Sequence, residues 1–255
     1  MFHHIHWDEN VRTKVLLSAL LLLIGALSSY SYSVRLNVSA QPEDLLVTNI
    51  DTGLTYSRIQ EAINAPETLN GHVIQVSAGV FKEQVVVNKT VSLIGYNRDQ
   101  SIIDGMAGTI VVHVKANQVE VRNLSIRNGT FGIWVDYSNN SRIIGNTLYE
   151  GTYGIRLYHS RNTLVTGNDV SGYRYYGIEL DQSGNSTLQG NSMSYNRYNF
   201  GVDGRAFEDF MNDIDASNTV NGQPIRYLLN QHNAVIDAST FAGIGYLGIV
   251  NSSNS

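Results

Sequence analysis

The sequence predicts an all-β chain wound into a parallel β-helix, and two observations carry the prediction. The first is a repeat between Asn123 and Gly204. Gly132, Gly154, Gly177 and Gly201 recur at intervals of 22, 23 and 24 residues, and two further columns keep nearly that step: Asn123, Asn146, Asn168, Asn191 and Ser138, Ser160, Ser183. Periods of about 20 to 29 residues mark solenoids, in which one unit cannot bury its apolar face and must stack on its neighbours. The second is what lies between the columns. Short apolar alternations such as Arg142-Ile-Ile and Gly154-Ile-Arg-Leu are too brief for helices and are bounded by Gly, Asn, Asp and Ser. Three such strands per coil, each about 4.8 Å from the same strand of the next coil, account for a period of 22 to 24 residues. Asn at a recurring turn tolerates unusual backbone angles and bonds its equivalents above and below. Asn123, as a member of that column, is expected to face inward.

Composition bounds the function. The chain has 255 residues, 42% of them hydrophobic, with 15 tyrosines, 23 glycines and 3 prolines, which suits one β-rich, turn-rich core with a small appendage. A net charge of -5 without any Lys/Arg cluster argues against a nucleic-acid partner, since phosphate binding needs concentrated basic surface. The absence of cysteine removes disulfides and Cys-based zinc sites.

Residues 1–34 read as a signal peptide or an N-terminal membrane anchor. An apolar block from Val15 to Leu27 follows Arg12 and Lys14, and Ala26-Leu-Ser28 offers a small-residue cleavage site. The 13-residue core favours cleavage over the roughly 20 residues a spanning helix needs. His3, His4 and His6 precede this block and lack the further ligands a metal site requires. Asn-x-Ser/Thr triplets occur at Asn37, Asn88, Asn123, Asn128, Asn139, Asn185 and Asn251, acceptor sites in an exported chain.

Residues 41–70 are expected to hold a capping helix, Thr55 to Ala65, over the first coil. Ser57-Arg-Ile-Gln60 has the form of a capping box, Ile59 and Ile63 share a face, and Pro66 ends the run. Coils then fill residues 71–204, beginning with strand-like His72-Val-Ile-Gln-Val, Gln84-Val-Val-Val, Thr90-Val-Ser-Leu-Ile and Ser101-Ile-Ile, for six or seven coils in all. Residues 205–255 are an excursion followed by a last coil. Phe207, Phe210 and Met211 lie at helix-like spacing within the excursion at 205–221, and Phe241 to Asn251 read as strand. Nothing after that strand resembles a cap, so self-association through this last coil is expected.

The runs Ile59-Gln-Glu-Ala-Ile63, Val76-Ser-Ala-Gly-Val-Phe-Lys-Glu83, Val91-Ser-Leu-Ile-Gly95 and Ile102-Ile-Asp-Gly105 resemble the opening of pectin-lyase-like right-handed β-helices. The later run from Asn212 to Asn230 resembles the NosD-type branch, with its carbohydrate-binding and sugar-hydrolase domain, found on archaeal surfaces. The resemblance implies an extracytoplasmic right-handed β-helix that meets polysaccharide or glycoprotein. It implies no particular reaction, because fold analogy is not evidence of function.

Alternation places the inner residues of each Gly-Ile-x-Leu strand in the coil and the intervening ones outside. The expected outward columns are Trp134, Arg156, Glu179, Asp203 and, beside them, Asp136, Tyr158, Asp181. Aromatic faces suit the apolar side of sugar rings and carboxylates suit hydroxyls, which makes Trp134, Arg156, Tyr158, Glu179 and Asp181 candidate glycan-binding residues. The same columns are also ordinary cross-strand pairs on a solvated sheet face. A catalytic reading uses Glu179 and Asp203 one rung apart, at retaining-pair distance, or Asp136 and Asp181 two rungs apart, near the inverting range. Against an enzyme, the chain lacks the paired-Asp and Gly-His-Gly motifs of polygalacturonase-like enzymes and the Asp-Pro-His-Asp of alginate epimerases. The NosD resemblance raises a copper-related role as a further alternative, but His72, His113, His159 and His232 and the four methionines are scattered. No metal and no cofactor are expected.

Overall fold

A computed structural model describes residues 45–233, 235–237 and 243–252. The signal or anchor reading, the three N-terminal histidines and Asn37 therefore lie outside the described residues. The chain is a parallel β-solenoid of about eight turns, more than the six or seven expected, because residues 213–220 form a coil and not part of an excursion.

One sheet stacks Val73–Val76, Ser92–Gly95, Glu120–Arg122, Arg142–Ile144, Leu164–Thr166, Thr187–Gln189 and Asp213–Ile214 in parallel register. The second begins with Gly79–Lys82 and continues through the long bent strands Ser101–Val114, Ser125–Asp136 and Thr147–Tyr158. Each long strand contributes two inward stretches, so the core is a set of columns. Ile74, Leu93, Val121, Ile143, Val165 and Leu188 form one; Ile103, Ile126, Leu148, Val170 and Met193 another; Ile133, Ile155 and Ile178 a third; Val135, Leu157 and Leu180 a fourth. All of these residues are fully buried. Apolar residues recur every coil because each column position is stacked on its own equivalents above and below.

The asparagine ladder exists, shifted by one residue at its top. Asn146, Asn168, Asn191 and Asn218 are buried. Each Oδ1 of Asn168, Asn191 and Asn218 accepts both the backbone N–H and the side-chain amide of the preceding asparagine, at 2.7–3.2 Å. Asn123 is not a rung. It is half-buried at φ 55, in the left-handed turn position that Gly145, Gly167 and Gly190 occupy in later coils, while Leu124 holds the ladder position above Asn146. Asn tolerates that conformation better than other residues with a Cβ, which is why the sequence column misleads there. The serine column forms as expected: the Ser138 and Ser160 N–H groups donate to Ser160 Oγ and Ser183 Oγ, each at 3.0 Å.

The capping helix is shorter than expected, spanning Ile59–Asn64, while Thr55–Tyr56 is a strand. Its Ser57/Gln60 box is not made. The Glu83 carboxylate instead accepts the Ile59 and Gln60 N–H groups at 2.8 and 3.1 Å, and Ser57 Oγ donates to Glu61. A carboxylate at a helix N-terminus is electrostatically favourable, and this one arrives from the coil beneath. The strand Val47–Asn49, antiparallel to Val73–Val76, shares the covering of this end with the helix.

The excursion is also shorter than expected. A 3-10 turn, Phe207–Phe210, is followed by Asp213–Ile214 back in the first sheet, and the insertion only stretches the asparagine step to 27 residues between Asn191 and Asn218. Beyond it the chain reverses. Asn221 and Gly222, at φ 49 and 77, make a two-residue turn, so Gln223–Leu229 runs antiparallel to Thr219–Val220. Tyr246–Val250 pairs in parallel with Gln223–Leu229. The final strands thus form one coil step of opposite direction, in place of a last coil continuing the stack.

Candidate functional site

Register decides which outward side chains meet. Ile155, Leu157 and their equivalents are held in the core, so the residues between them emerge on one face of the second sheet. Ladder pairing aligns His113, Trp134, Arg156, Glu179 and Gly201 in one column and Asp136, Tyr158, Asp181 and Asp203 in the next. Asp203 therefore belongs to the second column, opposite Asp181, and not beside Glu179 as the glycine alignment suggested. The inward pair Phe200 and Val202 sets this register, placing Gly201 where earlier coils carry Trp, Arg or Glu. The retaining-pair geometry for Glu179 and Asp203 is lost with it. Asp136 and Asp181 do stand two rungs apart.

A third outward column was missed: Phe131, Tyr153, Tyr176 and Tyr198, each two residues before an inward Ile or Phe. The repeated Phe/Tyr-Gly-Ile at 131–133, 153–155 and 176–178 was a readable signal for it. Ring centroids along this column are separated by 4.7, 6.4 and 5.3 Å. Gly201 has a specific use here, because a Cβ on it would come within 2.5 Å of the Tyr176 ring, which lies over that position.

Arg156 is the centre of the groove. Its Nη2 donates to Asp181 Oδ2 at 2.7 Å, and its Nε approaches Glu179 Oε2 at 2.9 Å. The second approach is an ion pair off the hydrogen-bond line, so both atoms are without a hydrogen-bond partner; Trp134 Nε1 is a third such atom in the same column. The guanidinium lies 5.2–6.0 Å from the ring centroids of Phe131, Trp134, Tyr153 and Tyr158. Such contacts between a cation and aromatic faces hold the planar group in one orientation. His113 stacks on Trp134 at 5.4 Å and places Nε2 3.1 Å from Asp136 Oδ2. His113 was not among the expected site residues, since only register brings it onto Trp134.

Glu179 is 8% exposed. Burial pushes its carboxyl up from the ordinary value, opposed by Arg156 and reinforced by the Asp181 and Asp203 carboxylates. Asp181 also accepts from Gln182 Nε2 at 3.2 Å. Asp203 is exposed, accepts the Gly204 N–H at 2.9 Å and makes no ion pair with any described residue. A separate hollow of about 410 Å³, lined by Asn128, Glu150, Thr152 and Arg174 among others, flanks the aromatic column and lies away from Arg156.

The family described as periplasmic copper-binding protein (NosD) matches residues 59–249, most of the chain. The chain belongs to the NosD family. Its solenoid is similar to the tailspike protein gp49 of Acinetobacter baumannii bacteriophage Fri1, a capsular polysaccharide depolymerase. The identity is 13% and the TM-score 0.50, over 77% of this chain and 43% of that one. A pectin methylesterase from Yersinia enterocolitica aligns at 14% identity and a TM-score of 0.47, over 78% and 90% of the two chains. A cell surface glycoprotein of Methanothermus fervidus is 32% identical over 103 residues, 40% of this NosD-family chain. The chain spans 17% of that relative's length.

The family description names copper, and the donor set does not fit it. Among the described residues no three His, Cys, Asp or Glu side chains converge, and the sequence has no cysteine. Met193 is in the core, and Met106 sits at an exposed turn. The His113–Asp136 pair offers two ligands, short of the clustered His, Cys or Met that copper takes.

Proposed function

We propose that this chain is a glycan-binding solenoid that works outside the cytoplasm and does not turn over its ligand. One observation carries the reading: three outward columns in register surround the Arg156 guanidinium with four aromatic rings and two carboxylates. Aromatic faces at one-rung spacing offer stacking platforms for successive sugar rings, and the fixed charges beside them offer acceptors for hydroxyls. The likeness to a cell surface glycoprotein and membership of a family described as periplasmic support the location.

An enzyme is the second reading. Glu179 and Asp181 sit in different environments, one buried with a raised carboxyl and one hydrogen-bonded to Arg156 and Gln182, which is how acid and base roles are separated. Against turnover, Arg156 occupies the space between the two carboxylates and Glu179 is nearly closed to solvent. Glycan-array binding that disappears in Trp134→Ala and Tyr158→Ala, without product release from polysaccharide panels, is the expected result. Release of reducing ends or unsaturated sugars that stops in Glu179→Gln or Asp181→Asn overturns the non-catalytic reading.

A further inference from the structure

The groove's charges are unequally compensated along its length. At the Trp134 end, Asp136 is held by His113; in the middle, Arg156 is shared by Glu179 and Asp181. At the far end Asp203 is exposed with only a backbone N–H on its carboxylate, and its charge is felt at Glu179, whose carboxyl it helps to raise. The single arginine of the columns is thus consumed internally, and the Arg197 guanidinium beside them lies over the Tyr198 ring, 5.5 Å from its centroid.

We propose, resting on the glycan-binding reading, that the ligand is a polysaccharide bearing free amino groups, laid along the solenoid axis with an ammonium at Asp203. The aromatic column supplies the direction. The rings of Phe131, Tyr153, Tyr176 and Tyr198 follow one another along the stacking direction of the coils, 4.7, 6.4 and 5.3 Å apart. At its Asp203 end this column offers the Tyr176 ring near the uncompensated carboxylate, while the Tyr198 ring, 5.3 Å from it, carries the Arg197 guanidinium 5.5 Å from its centroid. An ammonium there gains a charge partner and the Tyr176 face. Uronate polymers meet the opposite situation, since like charges facing each other across an interface are repelled.

The test uses titration calorimetry of the chain with three oligosaccharide sets of equal length: β-1,4-linked glucosamine, its N-acetylated counterpart and oligogalacturonate. The glucosamine oligomer is expected to bind most tightly and oligogalacturonate not at all. Asp203→Asn is expected to weaken glucosamine binding by about fivefold, the upper range for a water-exposed charge pair, and to leave N-acetylglucosamine binding unchanged. Equal binding of the glucosamine and N-acetyl forms, insensitive to Asp203→Asn, overturns the amino-sugar assignment and leaves the glycan reading standing. Tight oligogalacturonate binding does the same. If none of the three binds and a broad glycan array is also blank, both readings fall together.

Discussion

Replacing Asn168 by Leu tests the asparagine ladder at its most connected rung. Asn168 Oδ1 accepts the Asn146 N–H and Nδ2 at 3.0 Å each, and Asn168 Nδ2 donates to Ile143 O at 2.8 Å and Asn191 Oδ1 at 3.0 Å. Leucine makes none of these bonds. The Asn146 N–H is left without its acceptor, Ile143 O loses its side-chain donor, and both groups stay buried. At about 1–3 kcal/mol for each orphaned buried group, the loss is about 2–6 kcal/mol. Leucine is sterically admissible in the column, since Leu124 occupies the equivalent place one coil before Asn146, so the cost is polar and not steric. For a chain of this size that corresponds to a melting-temperature fall of about 2–4 °C per kcal/mol. Urea unfolding followed by circular dichroism is the assay, with the exposed Gln189→Ala as a control expected within about 0.5 kcal/mol of wild type. A loss below about 1 kcal/mol in Asn168→Leu refutes the idea that the ladder's buried hydrogen bonds hold the coils in register.

Three further outcomes follow from the same structure. Glu179 has a folded-state pKa raised above its unfolded value, so its contribution is fully present below the unfolded pKa and is lost as pH rises through the folded one. Glu179→Gln is therefore expected to lose less stability than wild type across that rise, and parallel pH–stability curves for the two contradict the assignment. Asp209 accepts the Arg205 and Ala206 N–H groups at 3.0 Å and Arg161 Nη2 at 2.9 Å, so Asp209→Ala should cost about 2 kcal/mol or more. It should also speed amide exchange at residues 205–210, and unchanged protection there refutes the fastening. We further propose self-association through Tyr246–Val250, which has a strand neighbour on one side only among the described residues and exposes Leu247 and Ile249. A sedimentation coefficient independent of concentration excludes it.

The sequence alone was enough for the solenoid, its serine ladder and the outward placement of Trp134, Arg156, Tyr158, Glu179 and Asp181. The reason is physical: in a stack, an inward position lies between its own equivalents above and below, so burial stamps the same residue type into the chain at every turn. That logic fails where the period is broken. Gly201 matches the glycine column by type, yet Phe200 enters the core and Val202 packs against it, and their inward placement slides Asp203 into a different column. The last rung, Asn218, lies 27 residues after Asn191 because an insertion intervenes, and position 123 carries Asn for its left-handed turn and not for the ladder. Other features were in the sequence with their partners hidden. Glu83 caps the helix from the coil beneath, and His113 reaches Trp134 only through pairing of separate coils. The enclosure of Arg156 by four rings and two carboxylates is likewise a product of lateral stacking. A linear pattern fixes which residues face outward, but only the register between coils decides which of them touch.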